Sequence, residues 1–185
     1  LKPYERAGLD GVIVQDAGVM KLIHEELPEL AIHGSTQLSI TSAYGAKAFE
    51  QIGMTRFVPA REVSLEEVKE LKDKTGLEIE CFVHGALCFC YSGHCLMSSI
   101  TGGRSGNRGK CAQPCRKQYE KEGGKKGYLL SPKDIATLEL IPALIEHGVD
   151  SFKIEGRMKS REYSAFTAFL YQKYAHIYYE IGREA

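Results

Sequence analysis

Cys88, Cys95, Cys111 and Cys115 are the residues whose type and spacing most clearly invite chemistry. They stand as C-x6-C-x15-C-x3-C within HGALCFCYSGHCLMSSITGGRSGNRGKCAQPCRKQY. All six cysteines fall between Cys81 and Cys115, so they cannot be staples spread along a fold. Three uses suit thiols packed this densely: a metal or iron–sulfur site, a disulfide pair, or a nucleophile with bystanders. Four thiolates can close around a tetrahedral zinc or a four-iron cluster. The spacing is neither the paired C-x2-C of zinc ribbons nor the ferredoxin run. Cys111 and Cys115 lie one helical turn apart, with Pro114 limiting how regular that turn can be. Cys90 is close enough to substitute as a ligand. Cys81 is expected in the core, on the strand face opposite His84.

Other reactive side chains cluster nearby in sequence. His84 ends a β-rich run just before the cysteines and is the first candidate for acid–base work. Glu80, Lys153, Glu155 and Arg157 are expected at or just inside neighbouring strand ends, with Lys153 and Glu155 on one face and able to pair. Gly102, Gly103, Gly106 and Gly109 surround Arg104, Asn107 and Arg108, a loop able to offer N–H groups and guanidinium forks to an anion. Neither a G-x-S-x-G nucleophile elbow nor an H-E-x-x-H zinc helix is present.

The formal net charge is zero, but it is unevenly spread. Residues 101–126 hold eight Lys/Arg against two Asp/Glu, leaving 16 basic and 22 acidic residues elsewhere. Arg104, Arg108, Lys110, Arg116 and Lys117 therefore form a candidate landing surface for a polyanion beside the thiols. The alternative is a solvated, lysine-rich loop. The 185 residues, 43% apolar and 26% charged, suit a soluble globular protein of one domain. No apolar run approaches a membrane span, and the opening LKPYERAGLDG does not read as a secretory signal. Reduced thiols in the cytoplasm are the expectation.

These groups need a scaffold, and a repeated layout supplies one. In AGLDGVIVQD (7–16), IGMTRFVPARE (52–62) and HGVDSFKIEGR (147–157), a glycine ends a helix-like stretch and a β-rich run follows. Glycine suits the left-handed position after a helix, and each apolar run reads as a strand of a parallel sheet. LAIHGSTQ (30–37) and LEIECFVHG (77–85) add two more strands. Residues 64–76 open on a Ser64/Glu67 capping-box pattern, with Leu65, Val68 and Leu71 as an apolar stripe. Residues 45–53, IPALIEHG and the run 160–181 read as further helices. The last carries Tyr163, Phe166, Leu170, Tyr174 and Ile177 as its expected packing stripe.

Strand–helix alternation of this kind implies an α/β fold with sites at the C-terminal strand ends. About five core strands are legible, whereas a closed (β/α)8 barrel needs eight strands and about 250 residues. The chain opens inside what reads as a helix. The expectation is the later part of a (β/α)8 TIM-like barrel, its first strands missing from this chain, with two sheet edges exposed. Residues 1–87 form the βα units, 88–130 a cysteine-rich basic insertion, and 131–185 the last βα unit and C-terminal helix. The missing strands are expected from another chain or a homo-oligomer.

ECFVHGALCFCYSGHCLMSS followed by GRSGNRGKCAQPCRKQY resembles the signature of the collagenase-like peptidases of unknown catalytic type, peptidase family U, number thirty-two. SPKD (131–134), VDSFKIEGRMKS (149–160) and AIHGSTQLS resemble its other blocks. The resemblance implies a (β/α)8-like barrel. It also implies one of two activities: a collagen-degrading hydrolase, or RNA hydroxylation at a tRNA wobble uridine or a ribosomal cytidine. More distant relatives carry four-iron, four-sulfur clusters on cysteines. Cys88, Cys95 and Cys111 match the recurring cysteines of the family, and Cys115 matches the Q-x-C position of CAQPCR.

Three functions follow. The first is RNA hydroxylation with an iron–sulfur site and a tRNA or rRNA partner, zinc being the alternative metal. The second is a peptidase acting on a peptide substrate, with Cys88 and His84 the nearest nucleophile–base pair in sequence. The third is a non-catalytic RNA-binding scaffold.

Overall fold

The computed structural model describes Pro3 and residues 6–182. The expected opening helix falls mostly outside the described residues. Five parallel strands form the centre: β1 (Gly11–Val14), β2 (Ala31–Gly34), β3 (Met54–Phe57), β4 (Glu78–Gly85) and, late in the chain, the strand Ser151–Glu155. Each pairs with the strand before it in this series. That order is singly wound, as in half of a barrel. Right-handed crossovers then place the connecting helices on one face. The helices include α1 (Ala17–Glu26), α2 (Ala43–Glu50) and α3 (Leu65–Thr75).

The repeated glycines have the conformation the sequence demands. Gly8, Gly53 and Gly148 have φ of +85°, +100° and +82°. A side chain is strained there, so these positions end one element and aim the next. Ser64 and Glu67 close a reciprocal capping box on α3.

One apolar layer holds sheet and helices together. Val14, Ile32, Phe57, Ile79 and Val83 from the strands meet Met20, Ile23, Ala46, Val68 and Leu71 from the helices. The opposite face is polar. Register puts Ile13, His33, Arg56 and Glu78 in one row. Alternation adds Glu80 and Phe82, paired with Ser151 and Lys153.

The rest of the chain elaborates the end of β4. After it come α4 (Met97–Gly102), a small hairpin of β5 (Tyr119–Glu120) and β6 (Lys126–Gly127), and β7 (Ile135–Ala136). β7 runs antiparallel to His84 and Gly85, on the edge opposite Ser151–Glu155. Then follow α5 (Ile141–Glu146), the fifth parallel strand, which is β8, and α6 (Arg161–Ile181). β8 thus lies in the same sheet as β1–β4.

Two expectations change. The buried line of α6 is Thr167 and Tyr171; of the expected stripe, Tyr163, Leu170 and Ile177 are half-buried, while Phe166 and Tyr174 are exposed. The helix is rotated because the Tyr171 hydroxyl is drawn to the strand end. It donates to Val83 O at 2.8 Å and accepts from Thr137 N at 2.9 Å. That same Val83 sits in a bulge: Phe82 pairs with Lys153, but His84 pairs with Ile154. One extra residue turns His84 to the helix side. His84 therefore shares a face with Cys81 rather than opposing it.

Tyr171→Phe keeps the ring but removes both hydrogen bonds of its hydroxyl, leaving Val83 O to Thr137 N and Oγ1, which donate to it at 3.1 and 3.0 Å. A loss of about 1–2 kcal/mol is expected, read as a lower urea midpoint at unchanged slope. A variant as stable as the parent chain would show that Thr137 alone holds the bulge.

Candidate functional site

β4 ends at Gly85, and residues 86–116 fold over the C-terminal ends of β2, β3 and β8. The anchor is Ser92, only 2% exposed. Its Oγ accepts from Arg61 N at 3.0 Å, its N–H donates to Glu62 Oε1 at 2.9 Å, and its carbonyl accepts from Ser39 Oγ. Gly93 follows at φ +77°, where a Cβ would come within 2.5 Å of Gln37 O. Asn107 Nδ2 donates to Gly93 O at 3.1 Å, bringing in the glycine-rich loop.

Around this anchor Cys88, Cys90, Cys95, Cys111 and Cys115 all line one cavity of about 100 Å³, several times what one water needs. Cys111 and Cys115 reach it without a helix. Gln113 is left-handed at φ 54°, and Pro114–Arg116 is a single 3-10 turn. The thiols line the wall rather than meeting at a point. Among the described residues, no three His, Cys, Asp or Glu groups stand close enough to hold a metal ion. They do feel one another. Burial, then Cys95 and Cys88, push the Cys90 thiol up. Burial, then Cys88, push Cys115 up, against the pull of Arg116. A cation at the centre reverses that logic, because it favours the thiolates. Cys81 is a different case. Burial, then Glu80 and Asp150, push it up to about 12, and it packs against the core.

Arg116 is a clasp. Its guanidinium donates to Leu87 O at 2.9 Å and Pro132 O at 2.6 Å, and pairs with Asp134 at 2.9 Å. Arg116 lines the thiol cavity, and its Nε alone is buried without a partner among the described residues. A buried N–H left over beside five thiols suits an anionic sulfur acceptor. With the soft donor set, it makes the cavity a chemical fit for an iron–sulfur group.

The other expected site residues divide. Glu155 and Arg157 line the same cavity, and Glu155 Oε1 accepts from Arg157 N at 2.7 Å. Lys153 pairs with Glu80 at 2.5 Å rather than with Glu155. Burial raises the Glu80 carboxyl, but Lys153, Ser151 and Arg56 outweigh it and hold Glu80 below the usual range. This pair sits on the polar face of the sheet, where Phe82 lies under Arg61 at 4.7 Å and Lys153 at 5.6 Å. His84 is elsewhere, packed between Tyr163 and Tyr171 with ring centroids at 5.8 and 5.6 Å. Of the basic set, Arg104, Arg108, Lys110 and Lys117 are exposed and Arg116 is half-buried. Arg104 Nε closes its own loop on Lys110 O at 3.0 Å. The anchoring roles of Ser92, Gly93 and Asn107 left no motif in the sequence beyond small and polar residues between cysteines.

The family model for Peptidase family U32 matches residues 1–184. The chain belongs to this family. Among U32 relatives, it is 38% identical over 185 residues to the tRNA hydroxylation protein P1 of Bacillus subtilis (strain 168), covering 94% of this chain and 44% of that protein. It is 42% identical over 164 residues to the 23S rRNA 5-hydroxycytidine C2501 synthase of Escherichia coli (strain K12), covering 85% and 25%. It is 33% identical over 178 residues to the collagenase of Porphyromonas gingivalis (strain ATCC BAA-308 / W83), covering 86% and 42%. The chain thus spans less than half the length of these U32 relatives. No helix among the described residues is long and apolar enough to cross a membrane.

Ser92→Ala removes the acceptor for Arg61 N, and Gly93→Ala forces a Cβ against Gln37 O. Each is expected to cost roughly 1–3 kcal/mol. Each should also speed alkylation of Cys90 and Cys95 while Cys81 stays unreactive. Unchanged alkylation rates would show that the cysteine loop holds its place without this anchor.

Proposed function

We propose that this U32 chain is the thiol-bearing part of an RNA-hydroxylating protein, holding an iron–sulfur cluster on Cys88, Cys95, Cys111 and Cys115, with Cys90 at its rim. The observation that carries the reading is that five cysteines from separate stretches share one cavity over the C-terminal ends of parallel strands. In a tetrahedral zinc site the sulfurs nearly touch; thiols spread around a wall suit a larger cluster better. When bound, such a cluster supplies electron transfer. Arg116 Nε would face its sulfur, and Glu155 and Arg157 would shape the mouth. Glu80, charged and tied to Lys153, offers an acid–base pair on the adjoining face of the sheet. The basic residues Arg108, Lys110 and Lys117 suit phosphate contacts. Relatives named for tRNA and rRNA hydroxylation favour RNA as the substrate. We place the protein in the cytoplasm and its fold as part of a TIM-like barrel.

The peptidase reading draws on the relative named collagenase. It needs a base beside the nucleophile. His84, the nearest base in sequence, lies against Tyr171 on the helix side, and Cys88 lines the cavity.

Anaerobic loading with iron and sulfide tests the reading. The chain should take up both and gain a visible absorption that dithionite bleaches. Ser at Cys88, Cys95, Cys111 or Cys115 should lower the iron content, and Cys81→Ser should not. In cells, losing the whole protein should remove a hydroxylated pyrimidine from tRNA or rRNA, read by nucleoside mass spectrometry. Iron-free, colourless protein that cleaves gelatin would reverse the preference.

A further inference from the structure

Two large rings stand at the mouth of the thiol cavity, uncovered among the described residues. Phe89 is 58% exposed and Tyr91 73%, and both line the cavity. Scattered exposed apolar groups are ordinary. These two differ in three respects. They alternate with Cys88 and Cys90, so they frame the reactive groups. Tyr91 directly precedes Ser92, whose backbone amide and carbonyl are both bound, and Tyr91 O accepts from His94 N at 3.2 Å. Its ring therefore starts from a fixed backbone. The adjoining segment 101–126 carries an excess of six positive charges, with Arg108 and Lys110 exposed.

A base paired inside a helix cannot enter a walled cavity, so enzymes that modify bases take them out of the stack. A base taken out loses its stacking, and an exposed aromatic face restores it. We infer that Phe89 and Tyr91 form a stacking platform that receives an unpaired pyrimidine of the RNA at the cavity mouth, while Arg108 and Lys110 hold flanking phosphates. This rests on the RNA reading above. It adds that the two rings, rather than the charges, distinguish an unpaired base from a paired one. The charge excess favours RNA over a peptide for the same surface.

The test compares an RNA hairpin with an unpaired pyrimidine loop against the same sequence fully duplexed, both titrated with the full chain by fluorescence anisotropy. The parent chain should prefer the loop. Phe89→Ala and Tyr91→Ala should each weaken loop binding roughly tenfold, leaving duplex binding and the salt slope unchanged. Tyr91→Trp should retain the preference. Arg108→Ala or Lys110→Ala should instead weaken both RNAs alike and reduce the salt slope by about one. Both rings are exposed, so thermal melting should not move. The platform is overturned if the Ala variants keep the loop preference, or lose loop and duplex binding equally. It is also overturned if a gelatin peptide competes with the RNA through the same two rings. No binding of either RNA by the parent chain would overturn the RNA reading itself.

Discussion

The site depends on a single buried serine. Ser92 has a hydroxyl, an amide and a carbonyl to satisfy in a place water does not reach, and each finds a partner at the ends of the strands. Leaving any of them unpaired is costly, so the loop carrying Cys88, Cys90 and Cys95 has essentially one way to sit. Gly93 narrows it further by letting the main chain pass against Gln37 O. The second half of the thiol set arrives by a different route. Arg116 fastens Cys115 to Leu87 and to Pro132. Two independent fastenings bring distant stretches of chain to one cavity.

The bulge at Val83 does the sorting. Without it, His84 would continue the row of Glu80 and Phe82. With it, the polar face keeps Glu80, Lys153 and the Arg61–Phe82 stack, while His84 joins the aromatic packing of α6. One inserted residue thus separates His84 from the charged groups.

The parallel sheet could be read in the sequence because its signals are local: a glycine at positive φ before four of the five strands, a short apolar run, a capping box at Ser64 and Glu67. The five strands and the helices around them follow those signals. The gathering of the thiols was legible only as density in the chain, since spacing says nothing about which loops meet. The bulge was not legible. Alternation in LEIECFVHG looks regular, and the shift arises from Tyr171 and Thr137, far away in sequence. The stripe on α6 misled for the same reason, because a tyrosine hydroxyl seeking two backbone partners outweighed the more apolar face. Arg116 reads as one more cation in a basic run, yet most of its hydrogen-bonding capacity is spent inside the fold, on Leu87, Pro132 and Asp134.

Most of the contacts fastening the cysteine-bearing segment end on main-chain atoms: Ser39 on Ser92 O, Asn107 on Gly93 O, Arg104 on Lys110 O, Arg116 on Leu87 O and Pro132 O. A carbonyl is the same whatever side chain its residue carries. The framework can therefore stay put while Phe89, Tyr91 or Arg108 is exchanged. That gives the fold a natural evolvability, in which a fixed cavity keeps its shape while only its rim is changed.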